Sequence, residues 1–250
     1  MEKNKKREKI RVGTLFSGIG APEVALKELD INHEVIFACE KDIEAKKTYL
    51  ANHRTKYFFD DITKINEEAI KNMDVDLLIF GAPCQSFSLA GKRKGLKDER
   101  GRLFIKAIQI TQAINPDYVL IENVTGLQTQ NKGKDLEKLI RLMNKAGYSV
   151  KKKIINSRDF GVPQNRSRIY IVLIKKTKKN FFSFSEGREP IKKLSDVLDD
   201  KVDKKYYATS SFLKKQKVKK KLLEYNKEYI NCITNTIARN GSSSYYINYV

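Results

Sequence analysis

The sequence predicts an α/β fold: a doubly wound, mostly parallel sheet covered by helices on both faces, followed by a smaller C-terminal segment. Three observations lead there. Strand-like apolar runs at 10–16, 34–39, 76–80, 118–121 and 169–174 alternate with helix-like stretches at 22–29, 42–52, 102–113 and 135–146, the pattern of βαβ units. Glycine, acid or cysteine motifs follow directly on the strands, at Phe16 to Gly20, Glu40, Gly81 to Cys84 and Glu122-Asn123, and parallel sheets place their ligands at the carboxyl ends of strands. After Lys175 the texture changes to lysine, serine, glycine and proline, which divides the chain into residues 1–178 and 179–250.

The first strand opens into Phe16-Ser17-Gly18-Ile19-Gly20-Ala21-Pro22-Glu23, with Pro22 well placed at the first turn of a helix. This is a loop that lets a ligand approach the backbone. A dinucleotide fingerprint wants a third glycine where this chain has Glu23. A carboxylate there repels phosphate and tolerates a cation, so the loop suits S-adenosylmethionine, with its ammonium and sulfonium, better than NAD. Twenty residues after Gly20, Glu40 ends the second strand, where an acid can accept both ribose hydroxyls. Cys39, just before it, lies in an apolar strand and reads as core. Beyond the helix at 42–52, Asp60-Asp61-Ile62 forms a turn with two neighbouring acids.

The run Val75 to Phe80 reads as a buried strand, and Gly81-Ala82-Pro83 ends it so that Cys84 sits on the turn. A basic loop follows, with Gly91, Gly95 and Gly101 as bending points and Lys92, Arg93, Lys94, Lys97 and Arg100 as phosphate contacts. The strand at 118–121 ends in Glu122, where partial desolvation raises a carboxyl's pKa towards that of a proton donor. Gln164-Asn165-Arg166-Ser167-Arg168 precedes the last strand, its alternate arginines pointing to one face. Ile191 to Asp200 has the pattern of a short amphipathic helix, and lysine is dense from Lys201 onward.

Composition narrows the partners. Fifty Lys and Arg against thirty Asp and Glu leave a formal net charge of +20 over 250 residues, which favours a polyanion, nucleic acid before membrane surface. No run approaches the roughly eighteen apolar residues of a membrane span, and the basic start, Met1 to Lys9, reads as a solvated tail without a signal peptide's apolar core. Three cysteines without a CxxC or a nearby histidine pair suggest neither a disulfide framework nor a zinc site. A reducing cytoplasm fits. Cys232 has no flanking chemistry, and His33 and His53 stand isolated in polar stretches.

Pro83-Cys84-Gln85-Ser86-Phe87-Ser88, with the Gly91 to Gly101 stretch, closely resembles the nucleophile turn of the cytosine-C5 DNA methyltransferases of bacterial restriction-modification systems, and the resemblance covers roughly residues 10–208. It implies S-adenosylmethionine-dependent methyl transfer to C5 of cytosine in double-stranded DNA. Cytosine C5 attacks a sulfonium methyl poorly until a thiolate has added at C6, and a group that hydrogen-bonds or protonates N3 eases that addition. By this resemblance Cys84 is the nucleophile and Glu122 the N3 partner, while Arg168 lies near the base and Arg166 supports it. Two guanidiniums on one face suit the cytosine O2 edge or a phosphate. The resemblance gives the methionine portion of the cofactor to Phe16, Gly18 and Gly20, the ribose to Glu40 and the adenine to Asp61, with Asp60 an easily confused neighbour. The target base must leave its stack, and Gln85, Ser88, Lys92, Arg93 and Gly101 belong to the loop that closes over it. Residues 1–178 then form the cofactor-binding catalytic domain, and 179–250 a linker and partial target recognition region.

Two later elements of the family, an Arg-x-Leu-Thr-Pro-Arg-Glu type segment and a Gly-Asn-Ala/Ser-Val helix, have no counterpart here, although Thr236-Ile237 resembles the pair near the end of recognition segments. The expectation is the larger half of a split methyltransferase completed by a second subunit, or a truncated product. Two rivals stand beside it: the same reaction on tRNA, and a catalytically incompetent DNA-binding fragment.

Overall fold

A computed structural model describes residues 9–83, 99–187, 189–190 and 193–197, together with short strand fragments at 222–223, 230–231 and 246–247. The chain divides into two compact units, Met1–Ile154 with Arg168–Phe182, and Ile155–Ser167 with Ser183–Val250.

The first unit is built on strands β1 (Ile10–Leu15), β2 (His33–Cys39), β3 (Tyr57–Phe59), β4 (Leu77–Phe80), β5 (Tyr118–Val124), most of β6 (Tyr148–Asn156) and, past the two-residue β7 (Gln164–Asn165), β8 (Ser167–Lys175). Their order is β3-β2-β1-β4-β5-β8-β6. The pairs β1–β2, β1–β4, β2–β3 and β4–β5 are parallel, and β5–β8 is antiparallel. The order runs outward in opposite directions from β1 and β4, which makes the crevice at their carboxyl ends the topological switch point.

Helices α1 (Ala21–Glu28), α2 (Ile43–Asn52), α3 (Glu67–Ile70), α4 (Glu99–Ile114) and α5 (Lys134–Lys145) connect the strands. One face of the sheet packs Phe37, Leu78, Phe80, Ile121 and Ile171 against Phe104, Ala107 and Ile110 of α4 and Leu139 and Met143 of α5. On the other, Val12 and Ile79 pack with Leu26 of α1. Helix α2 starts where the Asp42 carboxylate accepts the Ala45 N–H at 2.8 Å, satisfying a first-turn donor. Three elements go beyond the sequence pattern: β3, α3 and the edge strand β6. The lysines of Tyr148–Asn156 interrupt its apolar run, as suits an edge strand that must not recruit another chain.

In the second unit the side chain of Asn156 organises the turn around it. Its Nδ2 donates to Asn165 Oδ1 at 2.7 Å and Ser167 Oγ at 3.0 Å, and its Oδ1 accepts from the N–H groups of Arg158 and Arg166 at 3.1 and 3.2 Å. β7 pairs in parallel with β10 (Ile230–Asn231), and β9 (Leu222–Leu223) with β11 (Tyr246–Ile247). Within the stretch 191–200, whose pattern is that of an amphipathic helix, the described backbone forms a short 3-10 turn at Leu194–Val197. Among the described residues no helix is long and apolar enough to cross a membrane.

Candidate active site at the carboxyl edge of the sheet

At the end of β1 the chain turns sharply through Phe16, Gly18 and Gly20, whose φ angles are 54°, 55° and 94°. A left-handed Phe is strained by about 1–3 kcal/mol, so the loop needs outside support, and β2 supplies it. The Ser17 N–H donates to the Cys39 carbonyl at 3.0 Å, and the Cys39 N–H donates back to Ser17 Oγ at 3.1 Å. Glu40 accepts the Gly18 N–H at 2.8 Å with one oxygen and the Asp42 N–H at 2.8 Å with the other, so one carboxylate braces both the loop and the start of α2. A Cβ on Gly20 would lie 2.2 Å from the His53 ring, whereas one on Gly18 would meet nothing within 4 Å among the described residues. The loop is closed on the His53 side and open at Gly18. His53, isolated in the sequence, faces the Ile19 carbonyl at 3.2 Å through Nε2.

Behind the loop lies a buried polar group that no sequence pattern discloses. Glu23 Oε1 accepts from Thr14 Oγ1 at 2.9 Å and from the Tyr49 hydroxyl at 2.7 Å, and Thr14 Oγ1 also lies 2.8 Å from Ser17 Oγ. Thr14, Ser17, Glu23 and Tyr49 are all buried.

The two neighbouring acids separate. Asp61 is turned inward and caps the 3-10 turn Ile62–Lys64, accepting from Thr63 N–H at 2.9 Å and Thr63 Oγ1 at 2.7 Å, with Lys41 Nζ 3.2 Å from its other oxygen. The Thr63 hydrogen bonds first, and then Lys41, hold its carboxyl down at about 2. Asp60 is exposed and pairs with Lys46. Cys39 is core: burial, and then Glu40, Asp61 and Asp60, push its thiol up to about 12, which leaves it protonated and inert.

On the other side of the switch point, β4 ends at Phe80, which pairs with Ile121, so that Gly81 comes beside Glu122. A Cβ on Gly81 would lie 3.1 Å from Glu122 Oε2. The other oxygen, Oε1, is 3.0 Å from Arg168 Nε, both side chains being partly buried. The buried Asn123 donates through Nδ2 to the Ala82 carbonyl at 3.0 Å while its Oδ1 accepts the Val124 N–H at 2.9 Å. It thus fixes the backbone at Ala82, two residues before Cys84 in the sequence. Cys84 itself, with Gln85, Ser88, Lys92 and Arg93, lies outside the described residues, and Gly101 falls in the first turns of α4. Arg166 belongs to the second unit, its N–H held by Asn156 at 3.2 Å and its carbonyl by the Ser157 N–H at 3.1 Å.

The structure therefore brings Phe16, Gly18, Gly20 and Glu40 together as one loop assembly, places Asp61 on the following turn, and joins Glu122 to Arg168. Among the described residues no cluster of His, Cys, Asp and Glu could hold a metal ion. A carboxylate and a guanidinium at a strand edge can hold a planar polar ring by its edge and steady a proton there.

A family model described as C-5 cytosine-specific DNA methylase matches residues 10–250. The chain is 36% identical over 230 residues to the orphan methyltransferase M.Rho11sI of Bacillus phage rho11s, covering 80% of this chain and 45% of that protein. It is 39% identical over 211 residues to the type II methyltransferase M.HpaII of Haemophilus parainfluenzae, covering 83% and 58%. The chain thus spans about half the length of these relatives. Among solved structures, S. pombe Dnmt2 methyltransferase superposes with a TM-score of 0.77 at 25% identity, over 92% of this chain and 74% of that one.

Proposed function

This chain belongs to the C-5 cytosine-specific DNA methylases, and on that premise we propose that it is the catalytic part of an enzyme that methylates cytosine C5 in double-stranded DNA with S-adenosylmethionine. The observation that carries the reading is the Glu122–Arg168 pair, 3.0 Å apart at the strand edge beside Gly81, three residues before Cys84.

In this mechanism the Cys84 thiolate adds to C6 of a cytosine flipped out of the duplex. Glu122, acting as the acid, donates its proton to N3 and so neutralises the charge that the addition puts on the ring, and Arg168 keeps the carboxyl group oriented. Arg166 supports Arg168. S-adenosylmethionine, when bound, supplies the methyl group. Loss of the C5 proton to a water molecule then lets the electrons of the C5–H bond form the C5–C6 double bond, the C6–S bond break, and the thiolate return. The loop with Gln85, Ser88, Lys92, Arg93 and Gly101 closes over the flipped base by binding phosphates.

The residues present fit that cofactor. The open face at Gly18 admits a ligand to the backbone, and Glu40 and Asp61 offer acceptors for ribose hydroxyls and an exocyclic amine. The neighbouring acids Glu23 and Glu40 disfavour a diphosphate. Phe16, Gly18 and Gly20 hold the methionine end. A reducing cytoplasm keeps Cys84 a thiol. The chain spans about half the length of the relatives it matches, so the complete activity is proposed for the whole enzyme.

The test is transfer of radiolabelled methyl to matched DNA and tRNA by the complete enzyme. Label should enter DNA, vanish with Cys84→Ala, and a duplex with 5-fluorocytosine at the target should trap a covalent adduct. Label confined to tRNA would overturn the substrate, and label persisting in Cys84→Ala would overturn the nucleophile.

A further inference from the structure

Glu23 is the buried acid to which this mechanism gives no task. It is 3% exposed, with Oε1 held by Thr14 and Tyr49. Its other oxygen, Oε2, is buried and has no hydrogen-bond partner among the described residues. Among the described residues no lysine, arginine or histidine is paired with it. Thr14 links this carboxylate to Ser17 of the loop through its hydroxyl, 2.8 Å from Ser17 Oγ, and α1, which carries Glu23, begins directly after Gly20.

As a purely structural device such a group is a poor choice. Two hydroxyl donors are served equally well by a glutamine, and an unpaired charge taken out of water costs several kcal/mol unless a cation answers it. The environment answers with more acid. The Tyr49 hydroxyl is pushed above its ordinary range by burial first and the Glu23 charge second. On the neighbouring strand end the Cys39 thiol is raised by burial and then by Glu40, Asp61 and Asp60. Asp61 and Asp60 are paired with Lys41 and Lys46, which leaves Glu23 and Glu40 as the carboxylates beside the loop with no cation paired to them among the described residues.

We propose that Glu23 discriminates the charge state of the cofactor: its buried carboxylate, behind the glycine loop, favours the cationic sulfonium form over the neutral thioether that remains after the methyl has left. The inference rests on the cofactor reading given above. A charge in a partly desolvated site acts over several ångströms, so Glu23 needs no direct touch on the ligand. Methyl transfer removes the positive charge and with it this attraction, which eases departure of the spent cofactor.

The experiment is isothermal titration of the chain with S-adenosylmethionine and S-adenosylhomocysteine, in the wild type, Glu23→Gln and Tyr49→Phe, each shown to fold by a cooperative melt. Glu23→Gln keeps the acceptor for Thr14 and Tyr49 and deletes the charge. It should weaken the sulfonium ligand about tenfold while the thioether stays within about twofold. Tyr49→Phe keeps the charge with one donor fewer, so its sulfonium-to-thioether preference should equal or exceed the wild type's, and this holds as a test even if Glu23→Gln does not fold. Equal weakening of both ligands by Glu23→Gln, an unchanged ratio, or a ratio that falls in Tyr49→Phe would overturn the proposal. Should the wild type bind neither compound, the cofactor reading fails and takes the proposal with it; binding of both with an unaltered ratio fails the proposal alone.

Discussion

Glu122 sits between a glycine and a guanidinium, and each neighbour gives a way to test it. Glu122→Gln keeps the shape and removes the acid, so single-turnover methyl transfer should slow by roughly a hundredfold or more while DNA binding changes little. An unchanged rate would return Glu122 to a turn-supporting role. Gly81→Ala puts a methyl 3.1 Å from Glu122 Oε2, and the carboxylate must shift to make room. The same assay should show a loss of about tenfold or more, since sub-ångström placement governs such steps, with the melting temperature nearly preserved. Asp61 offers a pH signature. Its folded pKa of about 2 lies below the ordinary 3.8, so its contribution to stability is present above 3.8 and is lost as pH falls through 2. The melting-temperature gap between wild type and Asp61→Asn should therefore be open at neutral pH and close in strong acid.

At the scale of elements, Asn123 ties the end of β5 to the chain leaving β4. Asn123→Ala leaves the Ala82 carbonyl without its donor, and a buried carbonyl so treated costs about 1–3 kcal/mol, to be read from urea denaturation. Five strands and four helices are legible in the sequence because an apolar run or a helical period declares itself locally. The edge strand β6 is not, since its lysines hide the apolar pattern, and β3 and α3, at three and four residues, are too short to carry a period. The site divides in the same way. Glu40, Glu122 and Arg168 are readable because each stands at a strand end within a motif. Tyr49, His53 and Asn156 are not, because their meaning lies in partners 26, 34 and 10 residues away, which no local pattern records. Glu23 reads as a missing glycine, yet nothing in the sequence says that it is buried.

Over the whole chain, the excess of 20 positive charges and the acids around the glycine loop have opposite effects: the net charge suits a polyanion, and the acids of the loop disfavour one. DNA affinity, measured by fluorescence anisotropy, should fall linearly on a log–log plot against salt, and Lys92→Ala with Arg93→Ala should flatten the slope by roughly one for each phosphate those side chains neutralise. An unchanged slope would remove that loop from the DNA-binding surface. The reversed strand β8 has a consequence for redesign of this fold. Running against β5, it begins where β5 stops, so its first residues reach the working edge, and the pairing of Ile169 with Asn123, Ile171 with Ile121 and Leu173 with Val119 sets its step. Deleting Tyr170 would turn Arg168 to the opposite face of the sheet and silence methyl transfer in a protein that still carries every residue of its site.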